Sequence, residues 1–314
     1  MGAILCRFES CSGHNFYISF ILFENYYFTN PYMKFDLSTG YTEAIKFANS
    51  HYENFPTASL LIPKDLRKHV AVIYQFARTA DDYADENNYD SKKRLELLND
   101  FENQFYDALN GKWTNNMFYA LANTINEKQL TIENFTNLIF AFKQDTLKDR
   151  YKNYNELIDY CRYSANPVGR LILELFQIKE KEAFLLSDKI CTALQLTNFW
   201  QDVSVDYKKG RIYLPKNEIS DFNVNQIDFE NYSANSNFKQ LISFQVARTQ
   251  KLFDEGKNLL NFLNGRLKLQ IKLTIIGGEE ILIKIKQQDF DVLRNRPKIE
   301  RKDFFKLLKK VILS

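Results

Sequence analysis

Glycine and proline are scarce in this chain, 10 and 6 among 314 residues. Sandwiches and doubly wound sheets need turn-forming residues at short intervals, so the scarcity points away from them and toward helices. Cysteine is rarer still. Cys6, Cys11, Cys161 and Cys191 include no C-x-x-C spacing, which argues against a zinc site or a disulfide framework and leads us to expect a reducing cytoplasm. Cys161 and Cys191 sit among apolar neighbours and read as small core residues. No G-x-G-x-x-G occurs, so Gly277-Gly278 is not part of a dinucleotide loop. The net charge is only +3, without a basic tail or a basic stripe interleaved with aromatics, which argues against nucleic-acid binding. Long apolar runs are missing too. The stretch "FYISFILFENYYF" (16–28) is interrupted by Glu24 and Asn25 and preceded only by Arg7. It is too short to span a bilayer and lacks a basic flank and cleavage site. Met33 follows closely, so residues 1–32 are expected to be an extension outside the fold, with 33–314 forming one domain.

What remains is ordinary globular material, 45% hydrophobic, 15% aromatic and 26% charged, in a chain long enough to bury a sizeable core. Apolar residues recur at three- and four-residue spacing, as in "LRKHVAVIYQFARTADD" and "AFLLSDKICTALQLTNFW". The pattern predicts helices over 41–54, 64–85, 91–110, 116–126, 131–147, 153–177, 181–206, 236–264, 268–287 and 301–312. Breaks are expected at Pro63, Asn110-Gly111, Gly210 and Pro215. Residues 267–273, "LKLQIKL", alternate with period two but are read as helix from their surroundings. His51 and His69 are expected to be structural.

The segment "FARTADDYADE" (76–86) places four carboxylates within six residues. On a helix, Asp81 and Asp85 share a face, as do Asp82 and Glu86, and Arg78 and Tyr74 continue the Asp81/Asp85 face backward. Like charges at this spacing destabilise a helix unless cations lie between them, and magnesium is the natural counter-ion for oxygen ligands. Alone, the pattern is equally a solvated acidic helix end. A second stretch, "LQLTNFWQDVSVDYKKGRIYLP" (194–215), carries Asp202 and Asp206 with Asn198 one turn earlier. Leu194, Leu196, Phe199, Trp200 and Val203 surround them, so this stripe is expected to face an interior polar cavity. Lys208, Lys209 and Arg211 follow. Two facing aspartate pairs with cations at the rim suit a metal-bridged diphosphate, with the arginine and lysines on its outer oxygens.

The two motifs, their order and their separation resemble the squalene/phytoene synthase family of all-helical prenyl synthases. The stretches "SHYENFPTASLLIP" (50–63), "YCRYSANPVGRL" (160–171) and "DFDVLRNRPKI" (289–299) are most similar to its bacterial hydroxysqualene synthase branch. The resemblance covers about residues 40–300. It implies an all-α, single-domain isoprenoid synthase bundle with a central cavity. It implies magnesium ligands at Asp81, Asp85, Asn198, Asp202 and Asp206. Asp82 and Glu86 belong to the first motif but point to its flank. Tyr74 and Arg78 match positions lining the diphosphate site, Arg211 a basic residue near it, and Arg296 a more distant contact. Tyr160 matches a cavity tyrosine whose ring steadies carbocations.

Two positions depart from the family pattern. Some members that perform the initial condensation carry a lysine around "HYENFP", where this chain has Glu53, and some carry a tyrosine near the position of Gly278. Both count against a simple assignment of the whole two-step squalene synthesis. The expected activity is therefore ionisation of presqualene diphosphate and capture of the cation by water to give hydroxysqualene. The alternatives are head-to-head condensation of two farnesyl diphosphates to squalene or a carotenoid precursor, or a non-catalytic helical scaffold. The intact aspartates argue against the last. The expected partners are an isoprenoid diphosphate, peripheral contact with the inner face of the membrane, and handover with other enzymes of the squalene pathway.

Overall fold

A computed structural model describes residues 35–50, 61–85, 89–300 and 303. The expected extension at 1–32, Met33, His51, Glu53, Glu86 and nearly all of the predicted helix 301–312 lie outside the described residues, as does most of the 50–63 stretch. The described chain is helical, with no strand among the described residues and one isolated bridge, Arg150 with Ile212.

The helices are α1 (Leu37–Ser50), α2 (Lys64–Asp85), α3 (Ser91–Leu109), α4 (Asn116–Lys128), α5 (Ile132–Leu147), α6 (Tyr154–Ser164), α7 (Asn166–Leu175) and α8 (Lys181–Gln201). They continue with α9 (Val203–Lys208), α10 (Lys216–Asp221), α11 (Gln226–Glu230), α12 (Ser236–Gly256) and α13 (Gly265–Gln287). Starts follow local chemistry. Asp90, Asn115, Asn153 and Asn235 each accept a backbone N–H three residues on, satisfying donors that the first turn leaves open. The period-two segment 267–273 is helical, as its context implied.

Three predicted helices divide. The 153–177 run breaks at Ala165, where Pro167 sits in the first turn of α7, a position at which its missing N–H costs nothing. The 181–206 run breaks at Asp202. The 236–264 run ends as α-helix at Gly256 and continues as a 3-10 turn over Lys257–Asn261. Two short helices, α10 and α11, were not expected from the pattern, because neither is long enough to show a period.

Two hydrophobic clusters fill the interior. One is built mainly from α1–α5 and α7, with Phe76, Phe101, Phe105, Phe118 and Phe135 at its centre. The other gathers α6, α8, α12 and α13 around Phe199, Trp200, Phe238 and Phe253. Helix α8 is the axis of the second. It is buried on every side from Ile190 to Gln201 and packs on α7, α12 and α13, so its sequence shows little amphipathic contrast. The acidic C-terminal end of α2 belongs to the first cluster and that of α8 to the second.

Candidate active site

Asn198, Asp202 and Asp206 are among the most buried polar side chains described, with 1%, 4% and 6% of their surfaces exposed. The chain leaves α8 at Asp202 (φ −104°, ψ 15°) and re-enters helix at Val203. The i to i+4 bonds nevertheless survive the break. Asp202 N–H donates to the Asn198 carbonyl at 2.9 Å, and Asp206 N–H to the Asp202 carbonyl at 2.8 Å. The three side chains therefore keep the shared face that helical spacing predicts.

After α9 the chain reverses through a Schellman turn. Gly210 adopts φ 78°, its N–H donates to the Tyr207 carbonyl, and the Arg211 N–H donates to the Asp206 carbonyl, both at 2.9 Å. Glycine suits this left-handed position because it has no Cβ to clash. The turn directs Arg211 back across the molecule. Its Nη1 lies 2.9 Å from Oδ1 of Asp85 on α2, and Lys209 Nζ lies 3.6 Å from the other oxygen of that carboxylate. Residues 126 apart in sequence are joined, and the two acidic motifs meet.

Each aspartate with a described ion pair is matched to cations. Arg78 reaches Asp81 at 3.3 Å and Asp82 at 2.7 Å, so it serves the flank as well as the Asp81 face. Arg296 donates to Asp202 through Nε, and through Nη2 at 3.3 Å. Gln201 donates to the Pro297 carbonyl at 2.6 Å and anchors the segment that delivers Arg296. Tyr74 is buried one turn before Arg78, and its described ring contact is with Phe47 of α1, 6.3 Å between centroids. Tyr160 of α6 joins Tyr151, Phe199 and Tyr213 in an aromatic group in which Phe199 and Tyr213 stack 3.8 Å apart.

The donors at the facing helix ends are all hard oxygens. No three acidic, histidine or cysteine side chains among the described residues converge into a metal cage. Magnesium is usually held by one or two carboxylates completed by substrate phosphates, so paired aspartates fit an ion that shares its shell with a diphosphate. His69 stays out of this chemistry. Its Nδ1 lies 2.9 Å from the Thr124 hydroxyl and its Nε2 3.3 Å from Glu127. Burial drops its pKa to about 4 against the pull of Glu127. Burial raises the Cys191 thiol to about 11, as befits a core residue.

Asp145 and Tyr151 lie in no sequence motif, and Gln201 and Tyr213 lie inside the second motif without having been singled out there. Asp145 did leave a signal. It falls three residues after Phe142 and seven after Leu138, an acid on the buried stripe of α5.

With the fold and the paired motifs described, comparison with known proteins defines the class. The chain belongs to the squalene/phytoene synthase family, whose model matches residues 48–303. It is 32% identical to the hydroxysqualene synthase of Zymomonas mobilis subsp. mobilis over 228 residues, 71% of this chain and 75% of that one. It resembles the crystal structure of a squalene synthase from Alicyclobacillus acidocaldarius at TM-score 0.77 and 39% identity, over 81% of this chain and 95% of that one. A dehydrosqualene synthase structure, at TM-score 0.78 and 23% identity over 88% and 98% of the two chains, shares the all-α fold.

Proposed function

We propose that the chain ionises presqualene diphosphate with magnesium and releases hydroxysqualene. The observation that carries this reading is the Asp85–Arg211 pair, which places the acids and the cations of two distant motifs at one locus. Family membership supplies the reaction class, and the hydroxysqualene synthase relatives favour this product over its alternatives.

Asp81, Asp85, Asn198, Asp202 and Asp206 would hold the metal, which when bound would supply charge neutralisation for the departing diphosphate. Lys209, Arg211 and Arg296, now on carboxylates, turn to the phosphate oxygens, with Arg able to grip two at once. Arg78 steadies the acids from the flank. The carbon–oxygen bond breaks, its electron pair leaves with diphosphate, and the cation forms beside Tyr160, Phe199 and Tyr213, whose ring faces attract positive charge. Water then adds to the carbon and loses a proton. Tyr160 and Asn166, whose Oδ1 accepts from the Thr192 hydroxyl at 3.0 Å, are the candidate polar anchors for that water.

The test is product analysis with farnesyl and presqualene diphosphates offered separately. The reading expects hydroxysqualene from presqualene diphosphate alone. Efficient product formation from farnesyl diphosphate replaces it with the full head-to-head synthase.

A further inference from the structure

Tyr160 donates its phenolic hydrogen to Oδ2 of Asp145 at 2.6 Å. Asp145 lies near the end of α5 and is partly buried, and its backbone carbonyl accepts from Nη2 of Arg211 at 3.5 Å. One residue thus touches the aromatic group and the arginine that bridges the acidic motifs. A neutral acceptor would have satisfied the phenol equally well. A carboxylate does more, because its charge polarises the O–H bond and pushes electron density into the ring, and this effect grows where water is scarce.

We propose that Asp145 is a positioning residue, holding Tyr160 in one orientation and raising the affinity of its ring for positive charge in the reacting chain. The inference rests on reading the site as one that ionises a prenyl diphosphate. It assigns a role to a residue outside both aspartate motifs. Asp145→Asn separates charge from structure, since the amide oxygen still accepts the phenol hydrogen while the negative charge is gone.

The experiment compares binding of two prenyl diphosphate analogues, one carrying a tertiary ammonium in its chain and one a neutral isostere. The wild type is expected to prefer the ammonium form. Asp145→Asn is expected to lose about tenfold of that preference while binding the neutral analogue within about twofold, in line with loss of one charge-assisted bond. Tyr160→Phe should lose it similarly, and the double variant should lose no more than either single change, as coupled residues do. Thermal melts monitored by circular dichroism establish that each variant is folded, and Asp145→Glu, which keeps the charge, serves as a second variant if the amide fails to fold. Equal binding losses for both analogues, or an unchanged preference, would overturn the role of Asp145 while leaving the prenyl diphosphate reading intact. Failure of the wild type to bind either analogue would overturn both.

Discussion

Arg296 on Asp202 and Arg211 on Asp85 are buried or half-buried ion pairs whose members come from distant parts of the chain. Removing either charge leaves its partner uncompensated, so the informative change is a neutral isostere, which keeps the side-chain volume and an acceptor oxygen and opens no cavity beside the remaining charge. Asp81→Asn and Asp202→Asn each delete a proposed metal ligand with almost no change in volume. Both are expected to abolish turnover, a loss of several kcal/mol of transition-state stabilisation, while helicity stays as in the wild type. Turnover within about threefold of wild type in folded protein would remove these residues from the site.

His69 offers a pH prediction of a different kind. Its folded pKa, about 4, lies below the ordinary value of 6.5, so the unfolded chain binds the proton more readily. Its neutral form therefore supports the fold above pH 6.5, and that support is lost as the pH falls toward 4. The melting temperature should drop between pH 7 and pH 5, and His69→Gln should flatten the drop. An equal drop in the variant would assign it elsewhere. The aspartates and Arg78 stood out in sequence by their helical spacing and Arg211 by its place just after the second acidic stripe, whereas Arg296 came only from the family resemblance. The role of Gln201 was not legible, because its bond to the Pro297 carbonyl spans 96 positions that no local period encodes, and Asp145 showed only its place on the buried stripe of α5, not its partner Tyr160.

At the scale of elements, most long helices followed from apolar periodicity, and the departures have local causes. Pro167 and Asp202 divide runs whose hydrophobic pattern continues unbroken. The pattern reports burial, while the break reports backbone hydrogen bonding. Helix α13 illustrates what sequence leaves hidden. Gly277 and Gly278 are neighbours, yet a Cβ at Gly278 would lie 2.6 Å from Phe253 and 2.8 Å from Leu194, both buried, whereas one at Gly277 would meet only Ile299 at 3.9 Å. Phe253 and Leu194 hold the space that any side chain at 278 would need. Gly277→Ala should therefore stabilise the protein by up to about 1 kcal/mol through helix propensity. Gly278→Ala should destabilise it by roughly 1–3 kcal/mol through overpacking. Chemical denaturation of the pair checks both signs, and stabilisation by both changes would contradict the packing described.

For the whole molecule, the acidic end of α2 meets the basic turn that follows α9, where Asp85 pairs with Arg211 and Lys209. The all-α class and the presence of two motifs were legible in sequence. Their meeting depended on the Schellman turn at Gly210 and on a contact spanning 126 positions, which only the assembled fold displays. No helix among the described residues is long and apolar enough to cross a membrane. In the proposed reaction, water captures a cation formed at this junction. The direct measurement is turnover of presqualene diphosphate with magnesium in oxygen-18 water, without reduced nicotinamide, followed by mass spectrometry of the product. The account predicts hydroxysqualene carrying the heavy isotope. Squalene appearing only when reduced nicotinamide is supplied, or an alcohol without the label, would contradict it.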